Sequence, residues 1–308
     1  MILLGILAAS KSSAAVGVAG YFAGGYTGSY VSTVDKFAFA DDSRSTLGTG
    51  LSSARGTTGT MSDSSVAGYV AGGSVNVATV DKFAFPSDSR TTLGTGLSSG
   101  RRQLTGFSNS GVAGYVAGGS DGSNFDTVDK FAFPGDSRTT LGTGLSSATR
   151  LSAGMSNSGT AGYVAGGLAS DEVSTVDKFS FSDDSRSTLG TGLSAARQAL
   201  TGFSNSGTAG YAGGGETSGF NSDVDTVDKF AFPSDTRTTL GTGLSSSRAD
   251  LGGMSNSGVA GYFGGGYTSG STTSSVDKFA FPSDTRTTLG TGLSSARKHL
   301  RGFQNETV

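Results

Sequence analysis

Apolar and polar residues alternate over short stretches along the whole chain, and turns rich in Gly, Ser, Asn or Pro separate these stretches. Alternation with a period of two is typical of β-strands, and no segment sustains the 3.6-residue period of a helix. Between residues 99 and 147 the pattern predicts four strands in succession, near residues 104–107, 114–117, 128–133 and 139–145. The sequence therefore predicts an all-β protein with almost no helix.

The stretches belong to a repeat. The tripeptide Val-Asp-Lys occurs six times, and its aspartates are 46 to 51 residues apart: Asp35, Asp81, Asp129, Asp177, Asp228 and Asp277. Units of this length with several short strands are typical of the blades of a β-propeller. One unit is too small to bury its own apolar face, whereas six stacked units share a core. We therefore expect six blades.

The two ends of the chain predict how the ring closes. Residues 16–25 correspond to the Gly-Tyr strand of a unit and its Gly-Gly pair, so the chain begins inside a unit. Residues 296–303 correspond to the strand that precedes Gly-Tyr. The C-terminal strand should then complete the first blade and leave no open sheet edge. We predict an N-terminal segment, residues 1–15, and a closed six-bladed propeller, residues 16–308.

The repeat resembles the kelch family. The third unit reads Tyr115-Val116-Ala117-Gly118-Gly119, similar to the hydrophobic-Gly-Gly element of kelch blades, and five units carry a late arginine. These arginines are Arg55, Arg101, Arg197, Arg248 and Arg297. The third unit has Thr149 there, followed by Arg150. The resemblance implies a kelch-like propeller. It departs at the family's tryptophan, where this chain has Arg44, Arg90, Arg138, Arg186, Arg237 and Arg286.

Each of these six arginines belongs to an Asp-x-Arg triplet. The aspartates are Asp42, Asp88, Asp136, Asp184, Asp235 and Asp284. Because an active site is needed once, six copies favour a structural role over repeated ligand binding. We expect the aspartate to cap a turn, and the arginine to bind it or a neighbouring blade.

Composition excludes several classes of site. The chain has no Cys, which removes disulfides and Cys-ligated metals, and a single histidine, His299, which we expect to be a surface or packing residue. Its net charge of −2 argues against nucleic-acid binding. Copper enzymes of the galactose-oxidase type resemble kelch propellers but need Cys and two His. We expect no enzyme, no cofactor and no side-chain metal site. Whether an axial channel holds an ion is left open.

The loops between Gly-Gly and Val-Asp-Lys vary most between units, and equivalent loops of a propeller share one face. Loops on a rigid scaffold commonly carry binding functions, and aromatic and acidic side chains suit a sugar or a protein partner. The candidate binding residues are Tyr26, Tyr30, Phe125, Asp126, Phe220, Asp223 and Tyr267. The alternative is that these are solvent-exposed loops whose sequences drift and that have no binding function.

The chain opens with an apolar decapeptide, Met-Ile-Leu-Leu-Gly-Ile-Leu-Ala-Ala-Ser, that is too short to span a membrane. We expect it to be an anchor, with Ile2, Leu3, Leu4, Ile6 and Leu7 as contact residues. It resembles the openings of tailed-phage virion proteins, and the Gly/Ser/Thr/Ala-rich remainder is similar to phage and cyanophage structural proteins.

This resemblance implies a non-enzymatic virion or tail-fibre protein. Its anchor would dock on a neighbouring virion protein or a sister subunit, and its loops would bind a host-surface glycan or a partner protein. The alternative is a secreted or cell-surface bacterial adhesion protein that binds carbohydrate.

Overall fold

The computed structural model describes residues 19–218, 222–268 and 270–305. Within these ranges the chain forms six four-stranded antiparallel sheets and no helix. The sheets are the blades of a propeller, as the repeat predicts. A small extra hairpin, formed by β22 (Tyr267–Thr268) and β23 (Ser271–Thr272), follows the second strand of the last blade. The proposed anchor residues Ile2, Leu3, Leu4, Ile6 and Leu7, and Phe220, lie outside the described residues.

Every blade has the same four strands. The inner strands are β4 (Gly59–Asp63), β8 (Thr105–Asn109), β12 (Ala153–Asn157), β16 (Thr201–Asn205), β20 (Gly252–Asn256) and β26 (Arg301–Asn305). The second strands, which carry Gly-Tyr, are β1 (Ala19–Ala23), β5 (Ala67–Ala71), β9 (Ala113–Ala117), β13 (Ala161–Ala165), β17 (Ala209–Gly213) and β21 (Ala260–Gly264). The third strands, which carry Val-Asp-Lys, are β2 (Val34–Ala38), β6 (Val80–Ala84), β10 (Val128–Ala132), β14 (Val176–Ser180), β18 (Val227–Ala231) and β24 (Val276–Ala280). The outer strands are β3 (Arg44–Thr46), β7 (Ser89–Thr92), β11 (Ser137–Thr140), β15 (Arg186–Thr188), β19 (Thr236–Thr239) and β25 (Thr285–Thr288).

The C-terminal strand completes the first blade, as the sequence predicts. β26 pairs antiparallel with β1, which places Phe303 opposite Tyr21, and blade 1 has the order β26-β1-β2-β3. Blades 2 to 6 follow in chain order. The ring is closed by a strand from the far end of the chain, so both ends of the described chain contribute to one sheet.

The apolar core lies between adjacent blades. Between blades 1 and 2, the ring of Tyr21 stacks on Phe303 at 4.8 Å and on Phe85 at 5.4 Å between ring centroids. Phe83 joins the same cluster, and all four side chains are buried. Stacked aromatic pairs add to the free energy of burial. The aromatic residues that recur in each unit therefore form the apolar cores between the six blades.

The inner strands approach each other so closely that several positions must be glycine. A Cβ atom on Gly154 would collide with the carbonyl oxygen of Gly106 in the preceding blade, and a Cβ on Gly302 would collide with that of Gly253. The neighbouring atoms are backbone, so they have little freedom to move. These glycines allow the six inner strands to surround a narrow axis.

A buried carboxylate links each third strand to the preceding blade. Asp81 Oδ2 accepts hydrogen bonds from the Ser52 backbone N–H and hydroxyl and from Arg55, at 2.8 to 2.9 Å, while its Oδ1 accepts from Thr92. Burial by itself would raise the pKa of Asp81, but these hydrogen bonds and the charge of Arg55 outweigh it and hold the pKa below its usual range. The equivalent buried pairs are Arg101–Asp129, Arg197–Asp228, Arg248–Asp277 and Arg297–Asp35.

The junction between blades 3 and 4 lacks this pair. Thr149 stands at the arginine position, and a cavity of about 10 Å³ lies between it and Asp177. Arg150 does not fill the gap, because its guanidinium donates to Asn124 Oδ1 at 3.1 Å. Ser146 still binds Asp177 as its equivalents bind their aspartates.

The Asp-x-Arg triplets form a second inter-blade link. Asp136 accepts one hydrogen bond from the Tyr69 hydroxyl at 2.8 Å and another from Lys82 at 2.7 Å, both in the preceding blade. The same link recurs at every junction, including that of Tyr262 and Lys278 with Asp42, which joins blade 6 to blade 1. All six of these aspartates have a positive φ of 56° to 57°.

The prediction for the arginine of the triplet is wrong at five positions. Arg90 donates to Thr92 two residues later and lies 3.6 Å from the buried Asp81 of its own blade. It binds neither the aspartate of its own turn nor a neighbouring blade. The alternation of the hairpin explains this, because Arg90 is paired across the sheet with Phe83 and its side chain extends along the blade's edge. The other four are Arg44, Arg138, Arg186 and Arg237.

We predict that the buried and exposed arginines of one carboxylate differ strongly in their contributions to stability. Arg197 and Arg237 both face Asp228, at 3.0 and 3.6 Å, but the Arg197 side chain is 1 % exposed and that of Arg237 is 27 % exposed. Arg197→Met should lower the free energy of unfolding by about 3–5 kcal/mol, because it leaves a buried charge uncompensated. Arg237→Met should cost less than about 1 kcal/mol.

Urea unfolding of both variants measures the two losses. The double variant Arg197→Met/Asp228→Asn is the control, since it removes the stranded charge and should recover part of the loss. Equal losses for the two single variants would contradict the prediction.

Candidate functional site

A ring of backbone hydrogen bonds surrounds the axis on the face that carries the variable loops. One residue just before each inner strand donates its N–H to the equivalent residue of the preceding blade, at 2.7 to 2.9 Å, around all six blades. The six residues have φ between 54° and 62° although none is glycine. We call them the turn ring: Thr57, Gln103, Leu151, Ala199, Asp250 and His299. Strained residues that the surroundings hold in place often mark functional positions.

The variable loops are attached beside the turn ring. The residue after each Gly-Gly pair is bound to the residue that precedes a turn-ring residue. For example, Tyr26 pairs with Lys298, Glu216 with Gln198, and Tyr267 with Ala249. The Gly-Gly pairs make this possible through positive φ, for example 64° at Gly24 and 117° at Gly25. The backbone of this face therefore repeats, and its chemistry depends on which side chains each blade places there.

Aromatic and charged side chains collect on one side of this face, over blades 5, 6 and 1. The rings of Tyr26 and Tyr30 meet edge to face with centroids 5.2 Å apart, and the His299 ring is 6.3 Å from that of Tyr26. Lys298 Nζ lies 4.1 Å from the ring centroid of Tyr267, within cation–π range. We call this group, together with Glu216 and Asp250, the 5–6–1 sector.

Carboxylates of the sector influence one another. Burial, followed by the charges of Asp250, Asp223 and Glu172 in that order, raises the pKa of Glu216 to about 7, and Lys298 opposes them. His299 Nε2 lies 2.9 Å from Asp250 Oδ2. Burial would raise the pKa of Asp250, but His299 and then Arg301 and Lys298 hold it below its usual range. The sector thus combines a carboxylate that changes charge near neutrality with an ionised one.

The structure brings together only some of the residues that the sequence singled out. Tyr26, Tyr30 and Tyr267 lie in the sector, partly exposed, and Asp223 is close enough to act on Glu216. Phe125 and Asp126 are in blade 3, on the opposite side of the ring. Phe125 is half-buried, with the Arg101 guanidinium 5.8 Å from its ring centroid, and so packs against the framework. Asp126 is exposed.

Sequence reasoning missed Asp250, Lys298 and His299 as members of a site. In the structure Asp250, Asp223 and Glu172 all act on Glu216. A signal was present in the sequence. At the turn-ring position the six units read Thr, Gln, Leu, Ala, Asp and His, so the charged members stand out once the units are aligned.

Residues 19–218, 222–268 and 270–305 contain neither a metal-binding cluster of side chains nor a membrane-spanning helix. No group of three or more His, Asp or Glu side chains in these ranges is arranged to hold a metal ion. No helix in the same ranges is long and apolar enough to cross a bilayer.

The fold defines a six-bladed β-propeller. Among solved structures it is similar to one described as "Structure of YjhT", with a TM-score of 0.67 and 15 % sequence identity. The alignment covers 80 % of this chain and 86 % of that one. At this identity the similarity shows the fold alone. No protein-family model and no curated protein matches the sequence.

We predict that Glu216 makes stability fall as pH rises. Its pKa is about 7 in the folded protein against 4.5 in an ordinary setting, so the folded state binds the proton more tightly and loses stability between these values. Glu216→Gln should be about 1–2 kcal/mol more stable than the parent at pH 8, after allowance for solvent screening, and equal to it near pH 4.

Urea unfolding at pH 4, 6 and 8 provides the comparison. Asp171→Asn, at an exposed position in the blade 4 loop, removes the same charge and serves as the control. A difference between Glu216→Gln and the parent that is the same at all three pH values would exclude the predicted titration.

Proposed function

We propose that this protein is a non-enzymatic binding propeller that recognises carbohydrate through the 5–6–1 sector. The observation that carries the proposal is the convergence of three tyrosines, Lys298 and the Asp250–His299 pair at one side of a face whose backbone otherwise repeats. Sugars bind by stacking their C–H faces on aromatic rings while their hydroxyl groups bond to carboxylates and amines. The sector supplies both kinds of group.

The scaffold supports a role in recognition. The turn ring and the two inter-blade links hold the backbone of the loop face in place, so a ligand meets side chains that are already positioned. Pre-organised sites lose less conformational entropy on binding. Tyrosines have few rotatable bonds and offer a large contact area, which suits such a surface.

We propose that the bound sugar leaves unchanged. The chain has no cysteine, and its one histidine is engaged with Asp250. Glu216 and Asp250 then act as hydrogen-bond partners of sugar hydroxyl groups, and the charge of Glu216 tunes affinity around neutral pH.

For the biological setting we propose a virion, with a kelch-like propeller displayed as a tail-fibre-type component that binds a host-surface glycan. The support is the resemblance of residues 1–10 and of the Gly/Ser/Thr/Ala-rich composition to tailed-phage structural proteins. The apolar opening would dock on a neighbouring virion protein or a sister subunit. The alternative is a secreted or cell-surface bacterial adhesion protein that uses the same loop face.

We predict that a glycan array detects binding by the purified protein and that Tyr26→Ala/Tyr267→Ala abolishes it, because both stacking faces are lost. Leu168→Ala is the matched control, since Leu168 has the same position in blade 4 as these tyrosines have in blades 1 and 6. It should bind like the parent. Mass spectrometry of the eluted glycan should show an unchanged mass, and cleavage would contradict the non-enzymatic role.

The outcomes separate the proposals. Binding that Leu168→Ala loses and the double tyrosine variant retains would move the site away from the sector. Binding to no glycan would exclude carbohydrate recognition and favour a partner protein.

Deletion of residues 2–12 tests the virion setting. We expect the shortened chain to fold, because the blades begin later, and to be lost from assembled particles. Immunoblotting of purified particles measures this. Unchanged incorporation would exclude the anchor, and a mature chain cleaved after the apolar opening would favour the secreted alternative.

A further inference from the structure

A channel of about 690 Å³ follows the propeller axis between the inner strands. Its lining begins beneath the turn ring at Thr105, Ser152 and Thr201, which are 4 to 6 % exposed. At the other end it includes the turn residues Ser158 and Ser206, which are exposed. The channel therefore narrows towards the variable-loop face and opens on the opposite face. This volume is within the range of small-molecule sites.

Serine hydroxyls of neighbouring blades form a chain around the channel wall. The Ser62 N–H donates to Ser108 Oγ at 2.9 Å, the Ser108 N–H to Ser156 Oγ at 2.9 Å, and the Ser156 N–H to Ser204 Oγ at 2.7 Å. Each of these oxygens accepts an N–H, and a hydroxyl that accepts in this way still has its own proton to donate. The wall thus presents O–H donors to the channel.

Arg301 interrupts the repeat at the narrow end. The same position in the other inner strands is Gly59, Thr105, Ala153, Thr201 and Gly252. Arg301 lines the channel although it is only 5 % exposed. Its Nη1 donates to the carbonyls of Leu251 and Leu300 at 3.2 and 3.0 Å, and its Nη2 is buried without a hydrogen-bond partner.

The charge of Arg301 has no close counter-ion in the described part of the chain. No carboxylate oxygen there lies within 4 Å of the guanidinium. Asp250 acts on Arg301 from a greater distance, and its own carboxylate is bound to His299. The described residues that line the channel include no Asp or Glu. The channel is therefore a donor-rich cavity with a positive charge at its narrow end.

We propose that the channel binds a small oxyanion, a carboxylate or phosphate group, at Arg301. An oxyanion accepts several hydrogen bonds at once, so it matches a guanidinium surrounded by hydroxyl donors. The unpartnered Nη2 gains a hydrogen bond after a small side-chain movement, and the buried charge gains a counter-ion. The site lies on the other side of the turn ring from the loops, so it is separate from the 5–6–1 sector.

The test uses the purified protein and three small probes: inorganic phosphate, acetate, and acetamide as the neutral analogue of acetate. Binding is measured by NMR titration at constant ionic strength. Arg301→Thr is the informative variant, because threonine stands at this position in two sister strands and the fold accommodates it. Arg102→Thr removes an equal charge from an exposed position on the loop face.

We expect saturable binding of at least one anion, no comparable binding of acetamide, and a loss of about tenfold or more in affinity for Arg301→Thr. Arg102→Thr should bind like the parent. Tighter binding of phosphate than acetate would assign the site to phosphate groups, and the reverse order to carboxylates. The proposal is overturned if neither anion binds, if acetamide binds as well as acetate, or if Arg301→Thr binds unchanged.

Discussion

The structure depends on a buried aspartate in each blade that accepts hydrogen bonds from the blade before it. The aspartate of Val-Asp-Lys is removed from water, and burying a charge is costly unless hydrogen bonds and a counter-charge replace the lost solvent. The preceding blade supplies these through a serine and an arginine, as Ser52 and Arg55 do for Asp81. Because the serine and arginine donors come from the preceding blade, a blade outside the ring would keep only the threonine donor of its own outer strand. Between blades 6 and 1, Arg297 donates a hydrogen bond to Asp35, so the same link closes the ring.

A second link reinforces the first, and in it too the donors of one blade bind an aspartate of the next blade. The tyrosine and lysine of each blade bind the turn aspartate of the next, as Tyr69 and Lys82 bind Asp136. Burial and the neighbouring carboxylate raise the pKa of Tyr69, so the hydroxyl keeps the proton that it donates. Between blades 3 and 4, Thr149 stands in place of the buried arginine, and the two blades still pack together. This is consistent with a ring whose links are redundant, since the serine and tyrosine–lysine contacts remain there.

The sequence was sufficient to predict the strands, the six blades and the closing strand, because these depend on local alternation and on a repeat that can be counted. The partners of the repeated charges were harder to predict. Tyr69 and Asp136 are 67 residues apart, and no pattern within one unit shows that they meet. Arg90 illustrates the reverse case, because its proximity to Asp88 in sequence suggested a pair that the hairpin's alternation prevents. The candidate site was found in part, since exposed tyrosines stand out in a loop. Asp250 was not found, because it lies outside the variable loops and its effect on Glu216 arises only when the chain is folded.

Closure of the ring also explains where the repeat is broken. In the last strand and the turn before it, Arg297, Leu300, Gly302 and Phe303 stand at positions that most other blades fill with arginine, leucine, glycine, and phenylalanine or methionine. The side chains beside them recur less regularly. These are Lys298, His299, Arg301 and Gln304, and none of these four residues occurs at the equivalent position of another blade. Two of these face the variable loops, and two line the axial channel. The segment 298–304 therefore contributes both to the asymmetry of the loop face and to that of the axial channel.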